Sequence, residues 1–129
     1  MGITNASRAV ISARLYGTSS AAFSAIGMGT GTTAFSASQT ALVTEVDASG
    51  AGASGVHVLP AASVTASSVT TTQTNDTAQW TGTSAIAITG TIAVAESGVF
   101  NADTNGTMLC RQTFTAVNVV SGDTLNFIW

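Results

Sequence analysis

Ala85-Ile86-Ala87-Ile88-Thr89-Gly90-Thr91-Ile92-Ala93-Val94-Ala95 decides the fold class. Ile86, Ile88, Ile92 and Val94 fall on even positions while Ala85, Thr89, Thr91 and Ala93 take the odd ones, which is the period of two of a strand with one buried face. Similar alternation follows downstream. Around Thr107 to Thr115, Met108, Cys110 and Phe114 alternate with Leu109, Arg111 and Thr113, and at the end Leu125, Phe127 and Trp129 alternate with Thr124, Asn126 and Ile128. Asn105-Gly106 and Ser121-Gly122-Asp123 tolerate positive φ and mark turns between these strands, so the C-terminal half reads as an antiparallel meander.

Upstream the pattern changes. Asn5 is a suitable N-cap, Ala6 to Tyr16 is free of Gly and Pro, and Gly17 can end a helix in the left-handed conformation; Val10, Ala13 and Tyr16 share a face that Ile11 and Leu15 widen. A second short helix is expected from about Gln39 to Val46, capped by Ser38 and burying Ala41, Leu42 and Val46. Ala48 to Gly55 is a small-residue loop with no apolar anchor, expected to be mobile or a contact arm. Val56 to Thr72 is rich in Val and Thr but contains Pro60, which suits an edge strand. The expectation is a single domain over residues 1–129: mainly β, an antiparallel sandwich or barrel-like fold with a short N-terminal helix and a second short helix.

Composition narrows the function. Charged residues make up 7% of the chain, against roughly 25% in an ordinary soluble domain, while hydrophobic residues stand at a normal 45%. The deficit lies in surface charge, and a surface of Thr, Ser, Gly and Ala with a net charge of −3 gives weak protection against association. An oligomer or lattice is the expected setting. Arg8, Arg14 and Arg111 are the only basic residues, too few to neutralise a run of phosphates, so nucleic acid is not an expected partner. Gln79, Trp80, Gly82 and several Thr and Ser interrupt the uncharged run between Asp76 and Glu96, and no leucine-rich run follows Arg8 and Arg14; neither a membrane span nor an export signal is expected.

The residues that could carry chemistry are sparse. Gly27-x-Gly29-x-Gly31 lacks the spacing of a dinucleotide fingerprint and the Lys-Ser/Thr ending of a P-loop, and reads as a bend or tight turn. His57, the only histidine, sits between Val56 and Val58 and reads as an edge or interface residue; a metal on a symmetry axis would need several copies of it. No serine lies in a Gly-x-Ser-x-Gly elbow. Glu45 with Asp47, and Glu96 with Asp103, read as caps and turns, while Cys110, the lone thiol, reads as a core filler. Asn5, Asn75 and Asn105 each begin an Asn-x-Ser/Thr triplet, a frequent coincidence in a chain this rich in Ser and Thr. Trp80 and Trp129 are core or interface anchors, with core favoured for Trp129. No catalytic, cofactor-binding or metal residue is expected, and no enzymatic activity.

Four blocks carry a family resemblance: Ala25-Ile26-Gly27-Met28-Gly29-Thr30-Gly31-Thr32, Gln39-Thr40-Ala41-Leu42-Val43-Thr44-Glu45-Val46, Glu96-Ser97-Gly98-Val99-Phe100-Asn101-Ala102 and Met108-Leu109-Cys110-Arg111. In order and spacing they resemble small tailed-phage virion proteins, namely head decoration (cement) proteins and the N-terminal modules of tail-collar fibre proteins. The resemblance implies a virion protein made in the host cytoplasm, a homo-oligomer with a trimer favoured, bound to the major capsid protein or another virion protein. Asp47 stands where fibre modules often carry a basic residue, which favours a decoration protein that stabilises the assembled head. The rival readings are a tail or collar fibre attachment module, and a carbohydrate- or host-surface-binding β domain with Trp80 as a stacking platform.

Overall fold

The computed structural model of the chain describes residues 2–52 and 55–129. In chain order it contains β1 (Gly2–Ile3), α1 (Asn5–Leu15), β2 (Ala25–Gly29), β3 (Glu45–Val46), a 3-10 turn (Ala61–Ser63), β4 (Val64–Val69), β5 (Thr77–Ala85), β6 (Thr91–Phe100), β7 (Met108–Val120) and β8 (Thr124–Ile128). The strands form two antiparallel sheets, one ordered β1-β7-β6-β2-β3 and the other β4-β5-β8, in a sandwich-like arrangement. Ile26, Met28, Val94, Val99 and Cys110 of the first sheet join Phe127 of the second in one buried cluster, which Leu59, Ile86 and Ile88 complete from the connections.

The apolar even positions between Ala85 and Ala95 are buried or half-buried, but the stretch is two strands and not one. β5 ends at Ala85 and β6 starts at Thr91, and between them the chain passes from the small sheet to the large one. Gly90 takes φ +88°, and the N–H groups of Ile86 and Ala87 donate to the carbonyls of Asp123 and Ala48 instead of to a neighbouring strand. Ile86 and Ile88 stay buried through the crossing.

Within β6 the alternation also changes hand. Val94 and Val99 both lie in the core cluster although they are an odd number of residues apart, and the pairing with β7 shifts register between Val94 and Glu96. Val94 pairs with Val117 but Glu96 with Thr113, which leaves Ala95 on one strand and Phe114, Thr115 and Ala116 on the other out of the ladder, and across this irregular stretch the side chains change face. From Glu96 onward the even positions therefore leave the inter-sheet core for the outer face of the large sheet. There Phe100 packs with Ala25, Leu42 and Met108 in a second, smaller cluster.

The first helix forms where the sequence places it, with its cap one residue earlier. The Thr4 hydroxyl accepts from Ser7 N and donates to Met108 O, and Ser7 Oγ donates to Thr4 O and Leu109 O, so the helix start is tied to β7. Val10 and Ile11 pack on the core, but Leu15 and Tyr16 are each 83% exposed and do not extend that face. The helix expected from Gln39 to Val46 is absent, because backbone donors of that segment are claimed by a buried carboxylate. After β3, Asp47 Oδ1 accepts from the hydroxyl and N–H of Ser49 and from Ala51 N; these bonds hold its carboxyl below the usual range and shape the start of the small-residue loop. Ala53 and Ser54 of that loop lie outside the described residues. Pro60 precedes the 3-10 turn, and β4 follows as an edge strand, as its composition suggests.

Candidate functional site

Two polar pairs occupy the outer face of the large sheet. Glu96 and Arg111 lie on the neighbouring strands β6 and β7, both side chains wholly buried, with Arg111 Nε 2.6 Å from Glu96 Oε2. Above them runs the segment from Thr30 to Thr44. The Glu96 carboxylate also accepts from Gly31 N (3.1 Å), Val43 N (3.1 Å) and Thr44 N (2.8 Å), while Arg111 Nη1 donates to Thr33 O (2.9 Å) and Gln39 Oε1 (3.3 Å). One ion pair thus holds both ends and the middle of a long irregular segment against the sheet. Arg111 Nη2 is buried without an acceptor among the described residues.

This carboxylate explains two features of the sequence. Val43 and Thr44 cannot give their N–H groups to a helix because Glu96 takes them, and a charge-assisted bond to a buried carboxylate outweighs a weak local helix propensity. Gly29 and Gly31 serve for close approach to the same group. A Cβ at Gly29 would come within 2.6 Å of Glu96 Oε1, and one at Gly31 would also collide with that oxygen.

The second pair lies nearby. His57 is 4% exposed, and its Nδ1 is 2.6 Å from Glu45 Oε1 in β3. Its Nε2 is 2.8 Å from Asn105 O, and a carbonyl only accepts, so Nε2 carries a proton and donates it. The ring stacks on Phe100 with centroids 3.8 Å apart and planes at 21°. His57 therefore clamps β3 to the turn between β6 and β7. It is a buried residue and not the edge or interface histidine expected from its Val-His-Val setting.

The remaining candidates are dispersed. Asp103 accepts from Ala61 N through Oδ1, and Asp123 accepts from Val120 N. Cys110 is buried in the main core, and burial pushes its thiol up to about 11, which keeps it neutral and poorly nucleophilic. Among the described residues no group of three His, Cys, Asp or Glu side chains is placed to hold a metal ion, and no helix is long and apolar enough to cross a membrane. Trp129 packs on the core and donates from Nε1 to Ser97 Oγ at 3.1 Å; Trp80 is half-buried, and its Nε1 donates to Phe23 O at 2.7 Å. The two tryptophans face each other across β5 and β8 through a pair of backbone hydrogen bonds.

The surface feature that stands out is an apolar groove of about 550 Å³ between β7 and β8. Phe114, Val117, Leu125, Ile128 and Trp129 line most of it, with Ser97 and Gln112 on its floor. No ionisable side chain lies between Gln112 and Val120 or between Thr124 and Trp129.

The Glu96–Arg111 pair escapes a reading of the sequence because the parity of β6 reverses at Glu96, and the His57–Glu45 pair because its members lie on separate segments that only the fold brings together. A signal is available all the same: a lone Glu between Val94 and Val99, and a lone Arg between Cys110 and Gln112, are each isolated charges inside strands, where an unpaired ion is costly. No protein-family model matches the chain, and no curated protein matches its sequence.

Proposed function

We propose that this chain is a non-enzymatic structural protein of a tailed-phage virion, a decoration protein that binds the assembled head as an oligomer and stabilises it. The observation that carries a structural role is the use made of its scarce ionisable groups. Glu96, Arg111 and His57 are buried, Glu45 is half-buried, and these groups bind one another and the chain's own backbone, leaving a surface dominated by small polar and apolar residues. Such a surface accepts burial by neighbours at low desolvation cost.

The virion assignment rests on the resemblance of the four sequence blocks in order and spacing. Residues 25–32, 39–46, 96–102 and 108–111 are far apart in sequence, yet they supply β2, the strapped segment and β3, the end of β6 and the start of β7, all joined around Glu96 and Arg111. The mechanism needs no chemistry: a protein that binds only the assembled shell stabilises it by mass action, in proportion to the logarithm of its free concentration over its Kd.

The test is to add the purified chain to heads that lack it and to count bound copies while following the temperature at which the heads open. Saturation at hundreds of copies with a raised opening temperature is expected, following the symmetry of a shell. Saturation at about a dozen or fewer would assign the chain to the collar or tail. Binding to glycans with none to particles would replace the virion reading altogether.

A further inference from the structure

Both sheets end without a neighbour on the side formed by β7 and β8. β8 pairs with β5 alone, and beyond the two residues that meet β1, β7 pairs with β6 alone among the described residues. Natural sheets guard such edges with charges, prolines or bulges. β7 has a guard of this kind, since the register shift opposite Ala95 leaves Phe114 to Ala116 out of the ladder. β8, Thr124-Leu125-Asn126-Phe127-Ile128, has none of them. Beside it Ile128 is 72% exposed, Val117 48% and Phe114 39%, whereas the opposite edge strand, β4, presents Thr65, Ala66, Ser67 and Ser68.

We infer that this face is an interface with a second copy of the same chain, β8 lying antiparallel to β8 about a two-fold axis near Asn126, so that the two small sheets become one and the two grooves meet. Charge selects the occupant. A strand bearing Lys, Arg, Asp or Glu would bury an unpaired ion against this face, which offers no counter-charge, whereas a second copy brings the same uncharged edge. Size agrees. Nine residues of β7 at about 3.4 Å each make the face roughly 30 Å long, and two layers about 10 Å apart make it roughly 20 Å deep. That gives about 600 Å² per copy and about 1,200 Å² in all, the lower end of specific interfaces. Since the β7 and β8 edges lie on one side, pairing that side with itself is isologous and closes at two copies.

Self-pairing is a property of the isolated chain, so it and the virion reading can fail separately. The experiment is size-exclusion chromatography with light scattering on the full chain and on Val117→Lys and Ile128→Lys, each with its melting curve. A wild-type dimer is expected, weakened at least about tenfold by either lysine, with the melting temperature unchanged only at dilutions where all three proteins are monomeric, because both positions are already exposed in the single chain. Asn126→Cys should form a disulfide-linked dimer under mild oxidation, while Cys110 stays buried and inert. A monomer at the highest soluble concentration would overturn the inference. So would a trimer, open-ended growth through β4 against β8, a dimer indifferent to both lysines, or a dimer that Asn126→Cys cannot trap.

Discussion

A carboxylate with no solvent exposure survives in β6 because four donors converge on it: three backbone N–H groups and Arg111 Nε. Removing one member of such a pair strands the other charge. Glu96→Gln should therefore destabilise the fold by about 3–5 kcal/mol, whereas the double variant Glu96→Gln with Arg111→Met should lose less than the two single variants combined. Urea unfolding of the four proteins makes the cycle, and strict additivity would show that the pair acts only as two independent hydrogen-bonding groups. Cys110 gives a second prediction at this scale. Because burial raises its thiol to about 11 from an ordinary 9.0, folding stability is intact below pH 9 and should decline as pH rises from about 9 to about 11. The melting temperature of Cys110→Ala, compared with wild type across that range, should lack this part of the alkaline decline; identical slopes would refute it.

The β4–β5 hairpin depends on a single exposed carboxylate. Asp76 accepts from the N–H groups of Gln73, Thr71 and Thr72, which hold it well below the usual carboxylate range, and Asn75 beside it takes φ +59°. The Asn75 triplet thus has a conformational role in this turn. A lowered pKa means that the carboxylate's contribution is present above the ordinary range near pH 4 and is lost as pH falls through and below it. Asp76→Ala should speed hydrogen exchange at Thr71, Thr72 and Gln73 at neutral pH while leaving β6 and β7 protected. Unchanged exchange at those three amides would show that the strands alone hold the turn. Elements of this kind are the legible part of the sequence: period two marks the start of β6 and finds β7 and β8, Asn105-Gly106 and Gly122 mark real turns at positive φ, and the helix read from Ala6 to Tyr16 forms one residue earlier, at Asn5 to Leu15. Ile86 to Gly90 and residues 39–46 are misread because local pattern is silent about distant acceptors. The Ala48 and Asp123 carbonyls draw away the N–H groups of the first segment, and the Glu96 carboxylate those of the second. The site is less legible than the fold. Its four members lie on four separate segments, and only the register shift after Val94 turns Glu96 toward the strapped face.

For the whole molecule, the distribution of charge decides what can hold it to a partner. Of the three basic residues, Arg111 is consumed inside, and Arg8 and Arg14 remain on the exposed side of α1, with Arg14 donating to Ser20 O. An attachment built on ion pairs would have to use those two arginines or the few acidic groups outside the buried pairs. Attachment through apolar side chains has more surface to draw on, including Leu15, Tyr16, Val43 and Val56, which lie outside the β7–β8 face. The two kinds of contact respond differently to solvent. Raising salt from about 0.1 M to about 1 M shortens the screening length from roughly 10 Å to 3 Å, which releases partners held by exposed charges. Urea instead solvates both apolar groups and peptide groups, and so weakens the other kind. If the chain is the virion protein proposed, particles carrying it should keep it through a wash in about 1 M salt, and lose it in urea at concentrations below those that unfold the chain itself. The fraction retained, measured by gel densitometry against the major shell protein, reads the outcome. Release by salt alone from intact shells would show an ionic contact, and loss of binding in Arg8→Ala with Arg14→Ala, the fold unchanged, would place it at those arginines and not at the remaining acidic groups.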